Sequence, residues 1–289
     1  MEATSAPPAD STSARPRRRH LEGTDLMRYG TLLALALAVL VFSVLKPHQF
    51  PSVNNAVIIL KQGAVLTVVA VGLTVALILG DFDLSIGPVA GLAGVLAAGF
   101  IIQTGLATPA AIALALGAAA VVGALNGVFV AYIRVSAFIA TLGMSSVVAG
   151  GIFWYTGGAP VRGVFPVSFY ALGRGSFLGV PAPVLIMLAY AFVLWVLLNH
   201  TALGRHMKAV GGSSEVARLA GVAVARVRIL SFMISAVSAG LAGVLLAATL
   251  GLGHPQAGDG LLLDAFAAAF LGAVTFRRGS STSRGRWWR

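Results

Sequence analysis

Among 289 residues there is no cysteine. Disulfides and thiolate-based metal or redox sites are thereby excluded. Charge is almost as scarce. Only 10% of the residues are Asp, Glu, Lys or Arg, whereas a soluble domain carries roughly 25%. Acids are the rarer sign, nine against 20 basic residues. Catalytic signatures are missing too: there is no HExxH, no GxSxG and no glycine-rich loop ending in a P-loop lysine. His20, His48, His200, His206 and His254 fall in tails or loops and never pair at helical spacing. No catalytic residue, metal ligand or cofactor site is therefore assigned.

What the chain has is apolar length. Apolar residues make up 58% of it, and the mean hydropathy is +0.92. Several runs approach the ~20 residues needed to cross a bilayer. The ~10-residue alternating segments of a membrane barrel do not occur. The expected class is all-α, a polytopic transmembrane bundle. Helices are expected at about 29–45, 53–79, 84–104, 109–131, 136–155, 183–198 and 229–250, with a candidate break at Lys61-Gln62-Gly63. A final run, 261–274, is too short to span comfortably and brings the total to about eight membrane segments. The Gly/Pro-rich connection 156–182 has room for a short re-entrant or surface piece.

The basic residues report topology. With the N-terminus inside, the inner segments hold Arg15, Arg17, Arg18, Arg19 and Arg28, then Arg134, then Arg205, Lys208, Arg218, Arg226 and Arg228, then Arg277, Arg278, Arg284, Arg286 and Arg289. Only Lys46, Arg162 and Arg174 fall outside, and Lys61 lies within a span. This asymmetry explains the net charge of +11 without nucleic acid. Residues 1–27, polar and Pro/Ser/Ala-rich, read as a disordered basic cytoplasmic tail. No small-residue cleavage pattern follows the first apolar run, which argues against a signal peptide. Gly87, Gly91 and Gly94 form one small-residue stripe, Gly123 and Gly127 another, and Ala236, Gly240, Gly243 and Ala247 a third; all are expected to be helix contacts.

Two of the nine acids, Asp81 and Asp83, sit together in GDFDLSIG, residues 80–87. Three readings stand side by side. Asp83 or a neighbour caps the next helix. The segment is an ion or substrate site at a broken helix. Or it is a structural joint between spans. An intramembrane aspartyl protease would need aspartates on two facing helices, and here both lie in one segment. The inner loop 200–228 is the other distinctive stretch. Ser213-Ser214-Glu215 opens a short helix, Val216, Leu219 and Ala220 share a face, and Gly221 stops it. It is either a solvated loop or a docking helix for a cytoplasmic subunit.

Four stretches resemble one family. GDFDLSIGPVAGLAGVLAA is similar to GGIDLSVGxxxALxGVxAA. GALNGVFVAYIRVSAFIATLGMSSVVAG is similar to GLxNGxLVAxxRIPPFIATLGMxxIxRG. The segment from GRHMKAVGGSSEVARLAG to LAATLG and the run LDAFAAAFLGAVTF also have family counterparts, in the family's order. The chain resembles the permease subunits of ATP-binding-cassette importers of the ribose/xylose/galactoside type, within the branched-chain amino acid/sugar permease family, whose members have about ten membrane segments. The resemblance makes residues 28–276 the permease domain and loop 200–228 the coupling loop.

The resemblance further implies that Gly211, Gly212, Glu215, Ala217, Arg218 and Gly221 couple to a cytoplasmic ATPase. It implies a pathway at the centre of a two-permease assembly, for which the polar residues within spans, Ser85, Asn126, Thr141 and Ser145, are the candidates. Asp83, Leu84 and Gly87 become a structural joint. The implied partners are the ATP-binding subunit, an extracytoplasmic sugar-binding protein, a second permease copy and membrane lipid, in the bacterial inner membrane, with a monosaccharide as cargo. The alternatives are a stand-alone secondary transporter and a non-functional truncated permease. Two departures stand out. Asp81 and Phe82 replace Gly and Ile of the pattern, and Asp81 is expected to face water or a basic neighbour. The tail 277–289, RRGSSTSRGRWWR, is unlike the family and reads as a truncated or frameshifted end.

Overall fold

The computed structural model describes residues 24–277. The expected tails therefore lie outside the described residues, except for 24–27, which already belong to the first helix, and Arg277, which ends the last one. That helix, α1 (Thr24–Leu45), starts ahead of the apolar window because helix-compatible polar residues precede it. With the turn that follows, whose Phe50 stacks on Phe42 of the helix at 5.5 Å, it forms one compact unit ending at Pro51.

The second unit holds α2 (Val53–Ile78), α3 (Ile86–Thr104), α4 (Thr108–Val128), α5 (Ala137–Thr156), α6 (Val167–Arg174), α7 (Ala182–His200), α8 (Ala202–Gly212), α9 (Ser214–Leu219), α10 (Val224–Leu250) and α11 (Leu261–Arg277). Among the described residues six helices are long and apolar enough to cross a membrane. They are α2, α4 with its continuation to Ile133, α3, α5, α7 and α10. The apolar stretches of α1 and α11, Leu33–Leu45 and Leu261–Gly272, are shorter. No break occurs at Lys61-Gln62-Gly63, which lie inside a continuous α2. The fourth span ends in a π-turn, Phe129–Ile133, closed by Arg134 in the left-handed region at φ 62°.

Helix α10 is the central element and packs against α2, α3 and α4. Its small residues permit this, because in lipid close backbone approach takes the place of a hydrophobic drive between helices. A Cβ at Gly243 would collide with the Ala90 carbonyl of α3, and one at Gly94 would meet the Gly243 carbonyl at 2.8 Å.

The stripe on α3 needs a correction. Gly94 meets the backbone of a helix, but what lies nearest Gly91 and Gly87 is the non-helical chain after α10. A Cβ at Gly91 would lie 2.6 Å from the Pro255 carbonyl, and one at Gly87 would lie 3.0 Å from the Gly258 carbonyl. After α10 the chain pairs briefly with the connection behind α5, where Val161 and Gly253 exchange two backbone hydrogen bonds of 2.9 Å. It then runs back along α3 as non-helical turns. It starts beside Ala98 and Val95 and ends beside Gly87, where α11 begins. Glycine and proline in GHPQAGDG forbid a helix, and the glycines of α3 leave a groove for the backbone. This explains why the last apolar run is short: α11 begins beside Gly87, after the chain has already run back along α3 without forming a helix.

The opposite end is closed by α6 and a two-residue hairpin, β1 (Ser176–Phe177) with β2 (Val180–Pro181). Arg174 donates to the Thr249 and Leu250 carbonyls, each at 2.9 Å. A guanidinium there satisfies two orphan acceptors at the C-terminus of α10 and complements the negative end of its dipole.

Candidate functional site

Two regions at one end of the bundle carry the residues singled out in the sequence. The first is the joint between α2 and α3. Gly80, at φ +81°, turns the chain where a side chain would be strained. Asp81 then meets a basic neighbour, Arg228 of α10, whose Nε lies 2.7 Å from its Oδ2. Burial raises the Asp81 carboxyl above its ordinary range, and the Arg228 charge and hydrogen bond oppose that rise.

Asp83 lies deeper and is fully buried. Its Oδ1 accepts the backbone N–H of Ser85 at 3.0 Å and the Ser85 hydroxyl at 2.6 Å, and its Oδ2 accepts the Ser235 hydroxyl at 2.8 Å. Asp83 therefore does not cap the interior amides of α3. It ties a two-residue turn before the helix and links it to α10. Ser85 Oγ accepts the Asn126 side-chain amide at 2.9 Å, which brings in α4. The Thr141 hydroxyl of α5 accepts the Leu84 N–H at 3.0 Å and lies 3.2 Å from the Phe82 carbonyl.

Asp83, Ser85, Asn126, Thr141 and Ser235 all have 0% exposure. Three of the four residues expected along a pathway are thus bonded into a closed knot, while Ser145, one turn beyond Thr141, is half-buried. Asn126 Oδ1 is the one buried side-chain acceptor without a partner among the described residues. Leu84 and Gly87 complete the joint, Gly87 through its contact with Gly258. Ser235 was not singled out beforehand. Its signal was present as Ser231, Ser235 and Ser238, a buried polar stripe at helical spacing within an apolar span.

The second region is the loop 200–228. It contains α8, which the apolar pattern did not reveal; Thr201 caps it by accepting the Gly204 N–H at 3.2 Å. Ser213 caps α9 by accepting the Val216 N–H at 3.3 Å, and Gly221 ends the turn after it at φ +82°. The expected coupling residues divide into two sets. Ala217 is buried with Met207, Val210 and Val75. A Cβ on Gly211 would collide with the Ile78 carbonyl, so this glycine seats the loop on the end of α2. Gly212, Glu215, Arg218 and Gly221 point to open surface. Val216 and Leu219 are exposed with them, at 64% and 80%. Beside α9 opens a cleft of about 670 Å³ lined by Glu215, Arg218, Arg226 and Arg228 and, from the far side, Tyr132 and Arg134.

Spanning helices around a glycine-packed α10, and a small helix held outward at one end of the bundle, are the build of a membrane transport subunit. The family described as "Branched-chain amino acid transport system / permease component" matches residues 55–282, and the chain belongs to it. It is 39% identical to the ribose import permease protein of Escherichia coli (strain K12) over 91% of this chain and 82% of that one. It is 35% identical to the ribose import permease protein of Bacillus subtilis (strain 168), with 91% and 81% covered. Identity is 33% to the D-allose transport system permease protein of Escherichia coli (strain K12), over 86% of this chain and 76% of that one. No solved structure matches the chain. The protein is a multi-pass inner-membrane permease and not itself an enzyme; in importers of this kind ATP is hydrolysed by a separate subunit.

Proposed function

We propose that this chain forms the translocation path of an ATP-driven importer for a monosaccharide, with α9 as the element that docks on the ATPase. The observation that carries the reading is the presentation of α9. Ala217 and Gly211 anchor the loop to α2, while Val216 and Leu219 stand exposed next to Glu215 and Arg218. Exposed apolar side chains on a six-residue helix gain nothing from water. Seated in a partner's groove they would bury their area at about 25 cal/mol per Å². The adjoining arginines offer a charged rim to the same partner. The similarity to ribose and allose permeases supports the cargo class.

Movement of α9 has a route inward. Loop 200–228 ends in Arg228, which holds Asp81, and two residues on, Asp83 binds α10 while its neighbours bind α4 and α5. In this reading Asp83, Ser85, Asn126 and Thr141 transmit a shift to the pathway wall, and Ser145 on α5 faces the path. The test is uptake of labelled ribose by proteoliposomes containing this permease, its neighbouring ATPase and a sugar-binding protein. Leu219→Asp and Val216→Asp should abolish ATPase capture and uptake while leaving the permease folded. Undiminished capture by both variants would refute the docking assignment.

A further inference from the structure

We infer that Gln256 and Asp259, on the non-helical segment that runs down α3, are solute-contacting residues of the path. From Ala98 to Gly87 that segment covers 11 residues of α3, about 16 Å of depth at 1.5 Å per residue. Non-helical backbone at such depth is tolerated where it is buried in protein or borders water. The segment has two unlike sides. Gly253, Pro255 and Gly258 are buried against α3. Gln256 and Asp259 point the other way and are exposed. Neither side chain forms a hydrogen bond or ion pair among the described residues. A carboxylate turned toward lipid at this depth is heavily penalised, so an aqueous lumen is the environment it fits.

The segment also adjoins α5 on its buried side. The space that a Cβ at Gly91 would need is shared by the Pro255 carbonyl and by Ile152 of α5, whose Cδ1 would lie 3.5 Å away. Ile152 and Ser145, two turns apart, share one face of α5, which puts the segment beside the face that bears Ser145. The chemistry of this polar strip suits a neutral polyhydroxylated solute. A carboxylate accepts from two hydroxyls at once, and a primary amide both donates and accepts. The proposal rests on the transport reading above, but its first readout does not.

The chain has no cysteine, so Gln256→Cys and Asp259→Cys each introduce its single thiol. In proteoliposomes of the complete transporter, both should react with a charged, membrane-impermeant thiol reagent, and added sugar should slow the reaction severalfold. Leu188→Cys, on the exposed apolar face of α7, should stay unreactive. Asp259→Asn should raise the KM for uptake about tenfold at little changed kcat, with Asp259→Glu recovering part of the loss. Reaction only with lipid-soluble maleimides, or reaction that sugar leaves unchanged together with an unaltered KM, would overturn the proposal. If the thiols react with the charged reagent but no sugar is transported or protects, the strip borders water and the cargo reading is the one that fails.

Discussion

Removing Arg228 should cost more than removing Asp81, and removing both should cost less than either sum. At about 4 Å between charge centres and an effective dielectric of about 20, their attraction is about 4 kcal/mol. Against it stands the desolvation of Asp81, whose side chain is 9% exposed, while that of Arg228 is 25% exposed. Burial is the larger influence on the carboxyl. Net stabilisation is then small, within about 1 kcal/mol. Truncating one partner is a different matter. Arg228→Met leaves an unpaired, nearly buried carboxylate, at a cost of about 3 kcal/mol. Asp81→Asn leaves a guanidinium that still reaches water, at a cost of about 1 kcal/mol. The double variant should fall within about 1 kcal/mol of the parent, so the coupling in a double-mutant cycle should exceed about 1.5 kcal/mol. Reversible unfolding of the purified permease in bicelles measures stability, and ribose uptake by the assembled transporter measures function. Uptake should drop in every variant, the double included, because the link from the coupling loop to the joint is cut. Additive effects within about 0.5 kcal/mol would refute the pairing. Full uptake in the stable double variant would refute its role in transmission.

Three further perturbations separate packing from function. Gly243→Leu, whose side chain must displace the α3 backbone at Ala90, should cost about 3 kcal/mol or prevent insertion, whereas Gly117→Ala, with nothing within 4 Å, should stabilise α4 by a few tenths up to about 1 kcal/mol in the same unfolding assay. Asp83→Ala removes the acceptor for three donors, two of them buried hydroxyls, and should cost about 3 kcal/mol, while Ser235→Ala removes one donor and should cost about 1 kcal/mol. Gly221→Ala forces a side chain to φ +82° and should lower stability by about 1 kcal/mol while halving or worse the ATPase association, measured by co-purification, because α9 loses its stop.

The spans and the loop helix were readable because each is announced locally. An apolar run marks its own helix, and Ser213 and Gly221 mark the two ends of α9 wherever the rest of the chain lies. Asp81 shows the limit of local reading. Its charge was conspicuous, but its partner lies 147 residues away, and only packing of α10 against the joint brings Arg228 to it. Asp83 was legible as part of a joint but not as a bond to Ser235, 152 residues on. The descending segment is the furthest case. GHPQAGDG has the composition of a surface turn, and hydropathy reads its polarity as a sign of water at the membrane boundary. Its depth is set by the groove of Gly87 and Gly91, more than 160 residues earlier, which looked like an ordinary helix–helix stripe. Polarity and burial of the backbone are reconciled only if water reaches inside the membrane. The same two glycines that leave room for Pro255 and Gly258 thereby turn Gln256 and Asp259 outward, so Gly91→Leu should reduce solute protection of the Asp259→Cys thiol without touching the strip itself.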